Sequence, residues 1–137
     1  MKERRVAAVR AVEGRAVVVT WADGVDHTID VSVHAPVDEA LFRQPAVEEA
    51  GVLVAWPDGS ALAAGVLWDM ALAQDGARLA RWRTARGLTQ PGFAEALGIG
   101  LAAVRRYESG ASPIPKTVKL ALIGHDALER MAKKRAQ

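Results

Sequence analysis

The stretch from Arg78 to Gly110, RLARWRTARGLTQPGFAEALGIGLAAVRRYESG, limits the fold more than any other part of the chain. It reads as two short helices around a tight turn. Gly87 ends a preceding basic helix, and Thr89 is a good N-cap for the next, because its hydroxyl can accept an orphan first-turn N–H. Phe93, Ala94 and Leu97 fall at i, i+1 and i+4 and give a short inward face. Gly98 supplies the stop, and Ile99 plugs the turn. A second helix is expected from about Leu101 to Ser109, closed by Gly110, with Val104 inward and Arg105 and Arg106 at the side or outside. Ala94 has to be small, since helices crossing at roughly 90–120° leave no room for a larger residue.

Trp82-Arg83, Gly87-Leu88-Thr89-Gln90, Phe93-Ala94, Leu97-Gly98, Val104, Tyr107-Glu108 and Gly110 stand at fixed spacing. In this the segment from roughly residue 77 to 130 resembles the lambda-repressor-like (Xre/Cro) helix-turn-helix family. The resemblance implies an all-α DNA-binding domain. Thr89 and Gln90 would open the second helix on a phosphate, helped by the positive helix N-terminus. The third helix would enter the major groove, its positions Gly100, Leu101, Ala102 and Arg105 facing base edges with Arg106 beside them. Ser112 and Lys116, in the loop that follows, would meet the backbone.

The chain departs from that pattern at Gly100, where Ser or Thr is usual, and at Leu101-Ala102, where polar or basic residues are usual. Neither apolar side chain can hydrogen-bond a base, although either can touch a thymine methyl, so direct readout would rest on Arg105 and a guanine edge. Pro91 is tolerated in a first turn, but Gly92 weakens a short helix by about 0.5–1 kcal/mol.

Charge separates the two halves. Residues 1–75 hold 6 Lys/Arg against 12 Asp/Glu, a net of −6, and residues 76–137 hold 12 against 4, a net of +8; together they give the overall +2. One basic half is expected where only one half meets phosphate. The absence of cysteine excludes disulfides, thiol catalysis and cysteine-based zinc sites. His27, His34 and His125 are scattered without metal-ligand spacing, so no metal and no cofactor is expected. No run of about 18 apolar residues occurs. The opening Met1-Lys2-Glu3-Arg4-Arg5 is not followed by a signal-peptide core. These features predict a soluble, cytoplasmic chain with no membrane partner.

The N-terminal half has a strand texture, and the whole is expected to be α+β: a small antiparallel sheet with short helices (residues 1–75), then the helix-turn-helix domain (residues 76–137). Arg5 to Val12 and Ala16 to Trp21 are β-rich runs joined by Glu13-Gly14-Arg15. Val25 to Val33 alternates, placing Val25, His27, Ile29, Val31 and Val33 on one face. Asp38 can cap a short helix through about Arg43. Gly51 to Trp56 reads as another strand turned at Pro57-Asp58-Gly59, Ala61 to Ala73 as helical in its later part, and Asp75-Gly76 as the junction.

Trp21-Ala-Asp-Gly24 and Trp56-Pro-Asp-Gly59 echo one another. Each tryptophan is better explained as ending a strand and packing beside an Asp-Gly turn than as half of a ligand-stacking pair. These motifs, with Leu67-Trp68, resemble a small bacterial α+β domain, the domain-of-unknown-function family 2442, which implies a fold without a chemistry. Asp23, Asp26, Asp30, Glu48, Glu49 and Asp58 form no recognisable acid–base set, and Ser32 and Ser60 have no partner base, so no enzyme is expected.

In the C-terminal half, Trp82, Leu88, Phe93, Leu97, Val104, Tyr107 and Leu120 are expected as core, and Glu108 as an internal partner of Arg83. The tail from Leu128 to Gln137 continues a helix, with Leu128 and Met131 on one side and Lys133-Lys134-Arg135 at its end. Two readings follow. One is a DNA-binding transcriptional regulator acting as a homodimer on double-stranded DNA. The other is an antitoxin-like module that docks a protein partner.

Overall fold

The computed structural model describes residues 4–136; Met1, Lys2 and Glu3 of the opening segment and Gln137 of the tail lie outside the described residues. The chain forms two compact units, Met1–Gln74 and Asp75–Gln137.

In the first unit, β1 (Val6–Val12), β2 (Ala16–Trp21) and β3 (Asp26–Asp30) form an antiparallel sheet in that order. Val9 stands opposite Val19, and Val17 opposite Ile29. The first turn takes Gly14 and Arg15 into positive φ, at 78° and 61°. Arg15 tolerates this strain because its side chain is tied down. Nη1 donates to Val37 O at 3.3 Å, and the guanidinium lies 4.7 Å from the centre of the Phe42 ring.

β3 is shorter than its alternation suggests. The Asp30 carboxylate accepts the Ser32 N–H at 2.9 Å and turns the chain out of the sheet. His27, Ile29 and Val31 are buried as expected, but Val25 and Val33 are exposed.

Asp38 caps α1 (Glu39–Phe42), its Oδ1 accepting the Leu41 N–H at 3.1 Å. A second antiparallel sheet follows, built from β4 (Ala46–Glu48), β5 (Leu53–Ala55) and β6 (Ala61–Ala63). The run from Gly51 to Trp56 is thus a strand only over β5, and it opens with a one-turn 3-10 helix at Glu49–Gly51.

Trp21 and Trp56 are buried among Val17, Ile29, Phe42, Val54 and Leu67. Their indole N–H groups are satisfied inside, Trp21 Nε1 donating to His27 Nδ1 at 2.8 Å and Trp56 Nε1 to Phe42 O at 3.0 Å. Neither ring is open to a ligand, which favours packing over stacking for the Trp-x-Asp-Gly repeats.

The helix α2 (Ala64–Ala85) covers the later part of the Ala61–Ala73 run, as expected, and continues through Asp75-Gly76, so the division between units falls within a helix. The second unit holds residues 75–85 of α2 with α3 (Gln90–Leu97), α4 (Leu101–Ser109) and α5 (Lys116–Ala136). Leu79, Phe93, Ala94, Val104, Ile114 and Val118 form its core, and Trp82, Leu88, Leu97 and Tyr107 pack against it. Leu120 does not: it is 54% exposed. α5 turns Val118 and Leu122 inward, which carries Leu120 to the far side of the helix.

Gly76 is buried and lies against the end of α4. A Cβ there would stand 2.4 Å from Tyr107 O and 2.7 Å from Glu108 O. The α+β class is the one expected from the sequence, with two three-stranded antiparallel sheets in place of one small sheet, then helices. Among the described residues, no helix is long and apolar enough to cross a membrane.

Candidate nucleic-acid interface

α3 and α4 are joined by Gly98, Ile99 and Gly100. Gly98 closes α3 at φ 69°, a left-handed conformation that a side chain disfavours, and its N–H returns to Glu95 O at 3.2 Å. Ile99 is half-buried against the core.

Thr89 is the N-cap of α3, its Oγ1 accepting the Gly92 N–H at 3.1 Å. Pro91, in the same turn, has no N–H to offer. α4 starts differently. Gly100 is its N-cap in extended conformation, and no side chain caps the first turn.

α4 presents one wet face. Ala102, Arg105, Arg106 and Ser109 stand at i, i+3, i+4 and i+7 and are all exposed. Its other face holds Val104, fully buried, with Leu101 and Tyr107 half-buried against the core. Leu101, expected to face base edges, is therefore largely engaged in packing. Ser109, absent from the sequence expectation, joins the exposed face. Helical spacing from Arg105 and Arg106 would have found it.

Arg105 and Arg106 make no ion pair among the described residues, and Lys116 is likewise unpaired. Lys116 is the first residue of α5 and not part of the loop. Ser112 is half-buried in that loop, while Lys116 is exposed. Gly100 is exposed at the start of α4.

Arg83 and Arg86, by contrast, are committed internally. Arg83 grips Glu108 with two bonds, Nε–Oε2 at 2.7 Å and Nη2–Oε1 at 3.0 Å, as the sequence expectation has it. These bonds hold the Arg83 guanidinium above its ordinary pKa. Arg83 Nη1 also donates to Leu88 O at 2.8 Å. Gln90 joins the same carboxylate, its Nε2 donating to Glu108 Oε1 at 3.2 Å.

Arg86 stacks 3.7 Å from the centre of the Trp82 ring and pairs with Asp126 and Glu129. His125 lies beside them, and the three residues bring a donor atom each within 4.8 Å of one another. The sequence reading missed this helical His-Asp-x-x-Glu spacing. Both carboxylates already face the Arg86 cation, so the cluster fits a clasp between α2 and α5 better than a metal site.

No curated protein matches the chain. A solved structure from Nitrosomonas europaea, described as a candidate DNA-binding protein, is 24% identical over 93% of this chain and 91% of its own length, with a TM-score of 0.42. Residues 76–133, which contain the α3–α4 pair, match a protein-family model described as a helix-turn-helix domain.

Proposed function

We propose that the chain is a cytoplasmic DNA-binding transcriptional regulator that contacts double-stranded DNA through residues 76–133. The observation that carries this is the exposed Ala102–Arg105–Arg106–Ser109 face of α4, two unpaired arginines on a helix whose opposite side is fixed in the core. The family match of the same segment and the +8 charge of residues 76–137 support it.

In this reading α4 enters the major groove. Arg105 takes a guanine edge, Ala102 meets a thymine methyl, and Arg106 and Ser109 reach phosphate or base at the side. Thr89 and Gln90 at the start of α3, with Ser112 and Lys116, line the backbone, and Gly100 lies at the base edges. Pro91 and the Thr89 cap remove two first-turn N–H groups of α3, so its anion contact centres on Gln90. The family type is the lambda-repressor-like (Xre/Cro) one. A single unit of this kind reads a few base pairs, so the working form is a homodimer spanning half-sites roughly 34–36 Å apart. The N-terminal unit, with its resemblance to the domain-of-unknown-function family 2442, supplies dimerisation or sensing and no catalysis.

One observation favours a second reading, docking to a protein partner. Leu120, Ile123, Leu128 and Met131 are exposed along α5. Salt separates the two. Purified chain is titrated with the DNA upstream of its own gene and with an unrelated duplex across a salt series, beside Arg105→Ala. Preference for the upstream duplex, lost in Arg105→Ala, together with a steep salt dependence (roughly 10³–10⁵ between 50 and 200 mM for 6–10 phosphate contacts), supports the regulator. Equal, salt-insensitive or absent binding supports the docking module.

A further inference from the structure

A glutamine amide has two donor hydrogens on Nε2 and an acceptor at Oε1, so the end that faces outward decides what it can hold. Here Gln90 Nε2 donates to Glu108 Oε1 at 3.2 Å. An ionised carboxylate accepts only, so this contact fixes which way the amide is turned. Glu108 is itself immobilised by the two-pronged Arg83 grip at 2.7 and 3.0 Å, and Arg83 reaches Leu88 O at 2.8 Å, just before α3 begins. The Glu108 side chain is 8% exposed and that of Arg83 14%.

We infer that Glu108 is a positioning residue for phosphate. It takes one Nε2 hydrogen of Gln90 and leaves the second aimed outward for a DNA phosphate oxygen. The inference rests on the DNA-binding reading above. Both acidic groups select the same amide orientation, because Oε1 repels a carboxylate and a phosphate alike. Arg83 neutralises Glu108, which lets a carboxylate sit close to a phosphate contact without driving the phosphate away. The end of α4, the side of α2 and the start of α3 thereby meet in one hydrogen-bonded chain.

The test is a double-mutant cycle in the full chain: wild type, Gln90→Ala, Glu108→Gln and the double variant, each titrated with duplex across a salt series and unfolded thermally in parallel. A glutamine at 108 can present either end of its amide and so releases the orientation of Gln90. Gln90→Ala and Glu108→Gln are each expected to weaken binding by about tenfold. Gln90 is neutral, so Gln90→Ala should leave the slope of log affinity against log salt essentially unchanged, since that slope counts phosphates neutralised by Lys and Arg. The double variant should bind no worse than Gln90→Ala, although the stability lost through Glu108→Gln persists in both backgrounds.

Additive losses of affinity, or a Glu108→Gln variant that binds duplex as tightly as the wild type, overturn the positioning role and leave DNA binding standing. A wild-type chain that binds no duplex overturns both. Should Glu108→Gln not fold, the two Nε2 protons of Gln90 are followed by NMR in the wild type. Duplex should shift one and spare the other; equal shifts, or none, overturn the inference.

Discussion

Arg83 and Glu108 are two charges taken largely out of water, and the local energetics turn on their being together. Desolvating each is unfavourable, and the paired geometry offsets that; removing one partner leaves the other buried and unmatched. Arg83→Met is therefore expected to destabilise the C-terminal unit by about 3–5 kcal/mol, read from denaturant unfolding. Replacing Glu108 by leucine in the same chain should recover much of the loss. A smaller effect is expected at Asp58. Its carboxylate accepts the Ser60 hydroxyl at 2.6 Å and the Ser60 N–H at 3.0 Å, and these bonds hold its pKa below the ordinary carboxylate range. Because the folded value is lowered, the turn gains support that is complete above the unfolded pKa and lost as pH falls through the folded one. Carboxyl-carbon NMR titration should put the Asp58 midpoint below that of an unfolded reference peptide; a coincident midpoint would remove the argument.

At the scale of elements, two helical glycines carry opposite expectations. Alanine at either should gain up to about 1 kcal/mol of helix propensity. At Gly124 in α5 a Cβ meets nothing within 4 Å, so Gly124→Ala should raise the melting temperature. At Gly76 in α2 a Cβ runs into the backbone of Tyr107 and Glu108, which cannot swing aside as a side chain would. Gly76→Ala should cost about 1–3 kcal/mol despite its propensity, measured by thermal melts of both variants. The same contrast shows what could be read in advance. Thr89, Gly98 and Gly110 mark their helix ends through local chemistry, so α3 and α4 were legible to the residue. β4 and β6, three residues each, are too short for alternation to register. Asp75-Gly76 reads as a domain junction in sequence because nothing local reveals that Tyr107 and Glu108 will press on that glycine. Leu120 was misplaced for a related reason: a long helix with several apolar residues can bury more than one stripe, and only tertiary packing selects it. In the candidate interface, Arg105 and Arg106 were evident from helical spacing, whereas the Gln90–Glu108 bond joins residues 18 apart and required the fold.

For the whole molecule, the acidic and basic halves are continuous through α2. A loop junction would be the first place a protease cuts. Since Asp75-Gly76 is helical and Gly76 is buried, amides from residue 72 to 80 should exchange slowly with solvent, and a protease specific for Asp should spare Asp75 under native conditions. Early cleavage there would show that the helix does not persist through the division. The tryptophans offer another way to follow these units. Trp21, Trp56 and Trp68 belong to the first, and Trp82, wedged between Arg86, Phe93 and His125, is the sole tryptophan of the second. Residues retained for packing thus give each half its own optical reporter. Trp82→Phe would silence the tryptophan emission of the C-terminal unit and keep that of the N-terminal one, so whether the two unfold together or in turn can be watched without cutting the chain.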